Sequence, residues 1–463
     1  MRSQTIDISD ISFRADGEGG SKRAPPNKSP YLEEEKVFND EPQQQDVFGD
    51  EEFAEVKYKV LKWWECGLLM VAETISLGIL SLPAALAGLG LVPGVICLIG
   101  LGVLATYTGY VISQFKLKYP QISSVADAGE ILMGPFGREL FFASHMLYLV
   151  FIGASHLLTF AVAMNTITEQ GTCSLVFGVV GMVISFLLSL PRTMRKMTWL
   201  SLASFLSIIA AVLVAMVAIG IQDKDIGFSI IKEATLTNSV ISICNIAFSF
   251  ASHNTFFSMM AELEDPKQFP KALALLQSID ICLYVTISIV IYRYAGDSVT
   301  SPALGSVGLL ASKISYGVAL PTIIIAGVIY GHVAIKTVYI RIFAGTDRMH
   351  KTDIVAVGSW IGLASAHWII AWIIASAIPV FSNLLSLMSA LFASWFSFGI
   401  PGILWLFMNK GSWFSSLGKI SVTVLNVVCV IIGVIMCGLG VYASGKAIHD
   451  SPSTGSFSCA SNH

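Results

Sequence analysis

Polar and apolar positions divide this chain into two unequal parts. Residues 1 to about 58 mix acids, Ser, Pro, Gln and Gly without hydrophobic periodicity. A stretch of that kind cannot bury enough apolar surface to order itself, so 1–58 reads as a disordered tail. From about residue 62 the pattern changes to eleven apolar runs, each near the ~20 residues that a helix needs to span a bilayer. Their approximate limits are 62–87, 91–114, 139–167, 173–191, 198–221, 237–260, 271–295, 316–343, 354–376, 380–408 and 418–443. Between the ninth and tenth, at Ala377-Ile378-Pro379, the loop is nearly absent, and merging the two would give ten. The pattern predicts an all-α polytopic membrane protein of about eleven transmembrane helices. Its membrane domain covers 59–445, and 446–463 reads as a short disordered C-terminal tail.

The first apolar run is interrupted. ETISLGILSLP, Glu73 to Pro83, places a carboxylate, hydroxyls, a glycine and a proline inside eleven positions. Each unpaired backbone group in hydrocarbon costs several kcal/mol, so a broken helix survives only where protein or a water-filled cavity covers it. An ionisable side chain at membrane depth marks a functional site by default. The segment therefore predicts a discontinuous helix with a small-molecule site at its break. Five helices further on, the sixth run carries AFSFASHNTFF, Ala247 to Phe257, with Ser249, Ser252, His253 and Asn254 where lipid exposure forbids them. That break has neither Gly nor Pro, so its unwinding is inferred from polarity alone. Paired interrupted helices in corresponding positions of two halves point to an inverted-repeat transporter site.

Composition agrees. Of the 463 residues 54% are hydrophobic and only 13% charged, with mean hydropathy +0.71; a soluble domain carries about 25% charged residues. Charge is segregated: residues 1–60 hold fourteen of the thirty-one acids and eight of the twenty-eight bases. No basic cluster calls for nucleic acid. The eight cysteines are scattered without a CxxC pair, which argues against structural zinc. Cys97, Cys244, Cys282, Cys429 and Cys437 lie in apolar runs and read as small packing residues. The polar N-terminus and late first apolar run give no cleavable signal peptide.

Loop lysines and arginines set the expected orientation. With the N-terminus inside, the inner loops hold fourteen, including Lys116, Lys118, Arg138, Arg192, Arg195, Lys196, Arg348 and Lys351. The outer side holds five: Lys224, Lys232, Arg293, Lys313 and Lys446. The bias places the N-terminus in the cytoplasm and the C-terminus outside, and the sequon in PPNKSP then lies in the cytosol, unglycosylated. Cys173 and Cys459 fall together on the outer side, where a disulfide is open to them, but the tail reads as too loose to dictate one.

These residues also carry a resemblance. ETISLGILSLP resembles the first-helix motif of the amino acid/auxin permease family. FSFASH followed by MMAELEDPKQFPKAL, Met259 to Leu273, resembles that family's sixth helix and exit loop. IYRYAG, Ile291 to Gly296, and GTCSLVFG, Gly171 to Gly178, are similar to fungal neutral amino-acid permeases in particular. The likeness covers roughly 55–445. It implies the LeuT-like 5+5 inverted repeat of the amino acid–polyamine–organocation superfamily, plus an eleventh helix, and secondary active transport of amino acids, usually proton-coupled in fungi.

Ile75, Ser76, Leu77 and Gly78 would form the unwound part of the first helix. Freed N–H groups and the positive end of a half-helix suit an amino-acid carboxylate, and Gly78 permits close approach of backbone to ligand. Freed carbonyls from Ser249 through Phe250 and Ala251 to Ser252 suit the ammonium. The competing reading makes Ser76 and Gly78 small residues at a helix contact. Glu73 is the sharpest candidate for proton coupling, because burial favours the neutral form of a carboxyl and makes it a proton carrier; otherwise it is a permanently paired structural group. Sodium-coupled relatives carry an asparagine one position earlier, where this chain has Ala72, which favours protons.

Asp280 in the seventh run is the rival proton carrier, or else a helix-packing hydrogen bonder. His253 either takes the coupling proton or lines the pocket, or it is a satisfied packing histidine. His156 is kept as a pocket candidate because the third helix lines the centre of this fold, whereas His332 and His367 read as packing. Phe248 and Phe250 both flank Ser249 as candidate gates, and two positions so close cannot share a helix face.

No spacing of ligands suggests a metal, and no cofactor is expected beyond a proton gradient. The expected partners are an amino-acid substrate and the lipid bilayer, with no obligate protein partner. The leading function is proton-coupled symport of neutral, aliphatic or aromatic, amino acids by alternating access, at the plasma membrane or alternatively at the vacuole as an exporter. A non-transporting receptor with the same fold is the other class. A channel wants rings of ligands, and an enzyme wants nucleophile, base or metal spacing; the runs contain neither.

Overall fold

The computed structural model describes residues 59, 61–192, 197–222, 227–343, 353–450 and 456–459. The polar stretch 1–58 with its sequon lies outside the described residues, as do Arg195, Lys196, Lys224, Arg348 and Lys351 of the loop count. Among the described residues the architecture is all-helical, and nine helices are long and apolar enough to cross a membrane.

Helix α1 (Trp63–Thr74) opens on Lys62, whose N–H donates to the Glu65 carboxylate at 3.0 Å. It stops at Ile75, and α2 (Leu82–Leu89) resumes with Pro83 in its first turn, where a missing N–H costs nothing. These two pieces are the first apolar run, and at 12 and 8 residues neither crosses alone. Helix α3 (Leu91–Lys118) follows, and its buried Lys116 caps the chain beyond by donating to the Pro120 carbonyl at 2.6 Å.

Helix α4 (Val125–Thr168) corrects the expected start near 139. A capping box builds its N-terminus: the Ser124 hydroxyl accepts from the Asp127 N–H, and the Asp127 carboxylate accepts from the Ser124 N–H at 2.9 Å. The first turns are too polar to register as an apolar run, and they bend into the apolar part at Gly134, where φ is 67° and a side chain would be strained.

The chain continues through α5 (Ser174–Ser189), α6 (Met197–Ile221), α7 (Leu236–Ser249), α8 (Phe256–Ala261), α9 (Phe269–Ala295), α10 (Leu309–Phe343) and α11 (Ile354–Ala377). Helices α11 and α12 (Phe381–Met388) are separate, divided at Ile378–Val380 as the eleven-run reading requires. Helix α12 passes without interruption into a π-helical stretch, Ser389–Gly399, and α13 (Ile400–Met408); α14 (Leu417–His449) closes the bundle.

Helix α10 packs between α4 and α6, α9 lies against α1 and α3, and α14 runs along the π-helical stretch. Small residues allow these approaches: a methyl group added at Gly440 would sit 2.6 Å from the Ala390 side chain. The outer surface is apolar, with Ile96, Val103, Leu206, Leu213 and Val217 all more than half exposed. A surface so apolar belongs in lipid.

The C-terminal end differs from the expected loose tail. Helix α14 runs past 446 to His449, and residues 456–459 are held against the ends of α5 and α11. Cys173 and Cys459 form a disulfide across 286 residues, with Cα atoms 4.6 Å apart. The Phe457 N–H donates to the Ser376 carbonyl at 3.0 Å, the Ser456 hydroxyl donates to that of Ala377, and the Phe457 ring packs on Trp372. These contacts supply the order that composition does not. Protein cut once at a protease site inserted in 409–416 is expected to migrate as linked fragments on a non-reducing gel and to separate on reduction. The same cut in Cys459→Ser should separate without reductant.

Candidate functional site

Both interruptions expected from the sequence are present, and they meet. After Thr74 the backbone leaves the α-helix, Ser76 N–H donates to the Thr74 carbonyl at 3.0 Å, and a single 3₁₀ turn at Gly78–Leu80 leads into α2. After Ser249 the chain turns through Phe250 to Ser252 and a 3₁₀ turn at His253–Thr255 before α8. At the crossing, a Cβ on Gly78 would lie 2.9 Å from both Cα and Oγ of Ser249. Only glycine lets the two breaks touch.

A break frees backbone groups that must find partners. Three tyrosines on three other helices supply hydroxyls. Tyr330 of α10 donates to the Glu73 carbonyl at 3.1 Å, and Tyr148 of α4 donates to that of Ala251 at 3.3 Å. Tyr284 of α9 donates to the Ser249 carbonyl at 3.0 Å, and its hydroxyl also lies 3.5 Å from the Thr74 carbonyl. Other groups at the breaks stay open. Among the described residues nothing accepts from the Leu77 or Gly78 N–H, and Glu73 Oε2, Ser76 Oγ and Ser252 Oγ have no partner. Tyr284→Phe would strand a buried acceptor, which is expected to cost about 1–3 kcal/mol of stability. Thermal unfolding of purified Tyr284→Phe against wild type measures it.

A cavity lies between the breaks, with about 40 Å³ of space, enough for a few water molecules. Glu73, Ser76, Leu77, Gly78, Ala251 and Ser252 line it, together with His156, Phe248, Asn254, Tyr148 and Tyr330. His156 is fixed by a 2.8 Å bond between Nδ1 and the Ile323 carbonyl. Asn254 Nδ2 reaches His145 Nε2 at 3.3 Å.

The other expected residues lie elsewhere. Ile75 and Ser249 are buried at the breaks but do not line the cavity. Phe250 turns away from it onto Tyr284, leaving Phe248 as the phenylalanine at the wall. His253 points into α3, where Nε2 meets the Ala105 carbonyl at 2.9 Å and Thr108 Oγ1 at 3.1 Å. Asp280 is fully buried in α9, with neither carboxyl oxygen partnered among the described residues, and it does not line the cavity. His332 binds the Pro191 carbonyl and His367 packs edge-on against Trp368. The three tyrosines were not expected from the sequence. Their signal was available: a hydroxyl at membrane depth must find a partner.

The two ends of the site differ. Beside α1, Leu61 pairs with the strand-like backbone at Leu263, donating to the Glu262 carbonyl at 3.1 Å and accepting from the Glu264 N–H at 3.0 Å. At the other end a cavity of about 770 Å³ opens between α2, α7, α12 and α14, walled by Ala84, Asn238, Asn245, Asn383 and Lys446.

Residues 59–445 match the model of a family described as transmembrane amino acid transporter protein. The chain belongs to that family. A relative from Neurospora crassa, named N amino acid transport system protein, is 36% identical over 419 residues, covering 87% of this chain and 89% of its own. A protein from Gibberella moniliformis named transmembrane transporter is 29% identical over 421 residues, covering 88% and 89%. Among solved structures, one of a Na+-coupled sialic acid symporter in a substrate-bound, outward-open state is 14% identical with a TM-score of 0.47, covering 82% of this chain and 90% of that one. The family resemblance of the sequence motifs is borne out by the family match and the curated relatives. This chain is an integral membrane transporter whose substrates are amino acids, and it is not an enzyme.

Proposed function

We propose that this transporter is a proton-coupled symporter of neutral amino acids, aliphatic or aromatic, working by alternating access between the two breaks. The observation that carries the reading is a cavity between the breaks lined both by residues with unused N–H groups and by a carboxyl with an unpartnered oxygen. The Leu77 and Gly78 N–H groups with the Ser76 hydroxyl suit a carboxylate, and the remaining lone pair of the Ala251 carbonyl with the Ser252 hydroxyl suits an ammonium. Among the described residues no Lys or Arg lines the cavity to pair with an acidic side chain. Glu73 opens into the same space and is the proposed proton carrier, with Asp280 and His253 as alternates outside the wall.

In this reading the eleven apolar runs all span, the first as α1 with α2 and the fourth as α5, arranged as a LeuT-like five-plus-five inverted repeat with an added helix. Residues 59–445 form the transport domain, and 1–58 are its cytoplasmic N-terminal segment. The Lys and Arg bias supports an inside N-terminus and an outside C-terminus. The Cys173–Cys459 disulfide supports the same side assignment, because such bonds persist in oxidising compartments. The membrane is proposed to be the plasma membrane.

The test is uptake of a panel of labelled amino acids by purified protein in liposomes, under a proton gradient and then with sodium alone. Saturable accumulation of neutral amino acids that follows the proton gradient is expected. Accumulation driven only by sodium would overturn the coupling, and binding without flux under either gradient would move the function to a receptor.

A further inference from the structure

Three lysines from three elements gather where α13 ends. Lys118, at the end of α3, donates to the Met408 carbonyl at 2.9 Å. Lys419, in the first turn of α14, donates to Asn409 Oδ1 at 2.6 Å, with its ammonium 5.4 Å from the centre of the Trp405 ring. Lys410 follows directly on Asn409, exposed and with no side-chain partner among the described residues. Two ammonium groups therefore sit on consecutive residues, and a third belongs to the next one.

Nothing local neutralises them. Residues 74–126 and 354–449, which hold all three lysines, contain no Asp or Glu. Among the described residues none of the three meets a carboxylate, whereas Arg138 pairs with Glu130 and Arg341 with Glu139. The end of α13 offsets about half a charge, against three. Lys118 and Lys419 bond only neutral acceptors, and each ammonium has three donors of which these bonds use one. Charge and N–H groups both remain, and like charges so gathered repel unless an anion sits among them.

What lies beside the charge decides the class of anion. Phe414, in the turn before α14, is 74% exposed, and Leu417, at its start, is 84% exposed. Trp413 is half-buried, with its indole N–H donating to the Leu406 carbonyl at 2.9 Å. A soluble phosphate or an acidic peptide leaves Phe414 and Leu417 in water; a lipid covers them with its chains. We infer that Lys118, Lys410 and Lys419 hold the headgroup of an anionic phospholipid, phosphatidylserine, with Phe414 and Leu417 against its acyl chains. The orientation proposed above places this end at the cytoplasmic leaflet, where such lipids reside, and Trp413 at the level of the interface that tryptophan favours. The site is independent of which cargo is carried.

Full-length protein, delipidated in detergent and titrated with equal amounts of phosphatidylserine and phosphatidylcholine, is read by native mass spectrometry. Phosphatidylserine adducts are expected to prevail in wild type. Lys118→Gln, Lys410→Gln and Lys419→Gln should each weaken phosphatidylserine binding about fivefold, and the triple variant about a hundredfold. Phosphatidylcholine binding should stay, which reports that the variants are folded. The same three positions changed to Arg should keep the preference, and Phe414→Ser/Leu417→Ser should weaken phosphatidylserine binding with the charge intact. A triple Gln variant that still prefers phosphatidylserine would overturn the site, as would an equal loss in Lys267→Gln/Lys271→Gln/Lys336→Gln. Displacement of the lipid by glycerophosphoserine, the same headgroup without chains, at equal concentration would overturn the lipid as occupant. Carbodiimide cross-links from these lysines to the acids of 33–55 in phosphatidylserine nanodiscs would overturn it in favour of the chain's own acidic segment.

Discussion

Gly78→Val will reduce amino-acid uptake to background while the protein still reaches the membrane. The first Cβ alone would lie 2.9 Å from Ser249 Cα and Oγ and 3.1 Å from its Cβ, and a backbone atom cannot rotate aside. Relief requires the two breaks to separate, which carries Ser76 and Leu77 away from Ala251 and Ser252. Overpacking a tight contact by one methyl costs about 1–3 kcal/mol, so Gly78→Ala should lose about 10–100-fold in uptake rate, and valine more. Ser249→Gly removes two of the three blocking atoms. The pair Gly78→Ala/Ser249→Gly should therefore recover part of the loss, a coupling read directly from a double-mutant cycle. Wild-type uptake by Gly78→Ala would show that the transport cycle does not depend on this contact.

The second large effect is expected at Glu73, and it differs in kind. Its side chain opens into the cavity with Oε2 unpartnered, while its own carbonyl is held by Tyr330. A carboxyl so placed needs a proton on it or a cation beside it. Gln keeps the volume and the hydrogen bonding but can neither take up nor release a proton. Glu73→Gln should still exchange internal for external amino acid. It should lose accumulation against a gradient, with the internal-to-external ratio falling to about one in liposomes with an imposed proton gradient. Accumulation that persists in Glu73→Gln would shift the proton to Asp280 or His253; Asp280→Asn, measured the same way, separates those two.

Much of this architecture is written in short-range pattern. The helices follow from run length because lipid leaves the backbone no alternative. The breaks follow from Glu73, Gly78 and Pro83, and from Ser252, His253 and Asn254, because those residues contradict a lipid-facing helix. What escaped is long-range or has no local mark. The early turns of α4 are hidden by Asp127 and Glu130, which spoil the apolar run without spoiling the helix. The π-helical stretch at Ser389–Gly399 has the same apolar pattern as an α-helix. Phe248 and Phe250 are equivalent in sequence, and only the turn after Ser249 decides which one faces the cavity. Tyr148, Tyr284 and Tyr330 look like packing aromatics until the carbonyls they serve are located 103, 35 and 257 residues away. The Cys173–Cys459 pairing is open from the side on which both fall, but the order that closes it comes from contacts of 456–459 with the end of α11, which composition does not show.

Tyr284 has a consequence for how the two halves of the site move. Its hydroxyl carries one proton and faces two carbonyls, that of Ser249 at 3.0 Å and that of Thr74 at 3.5 Å. One proton makes one strong hydrogen bond at a time. Whichever half-helix draws nearer to the phenol gains the bond, and the other loses it to the same degree. Displacements of α1 and α7 are thereby placed in competition through a single atom. The tyrosine acts as a ledger kept between two helix ends, in which the tightening of one is recorded as the loosening of the other.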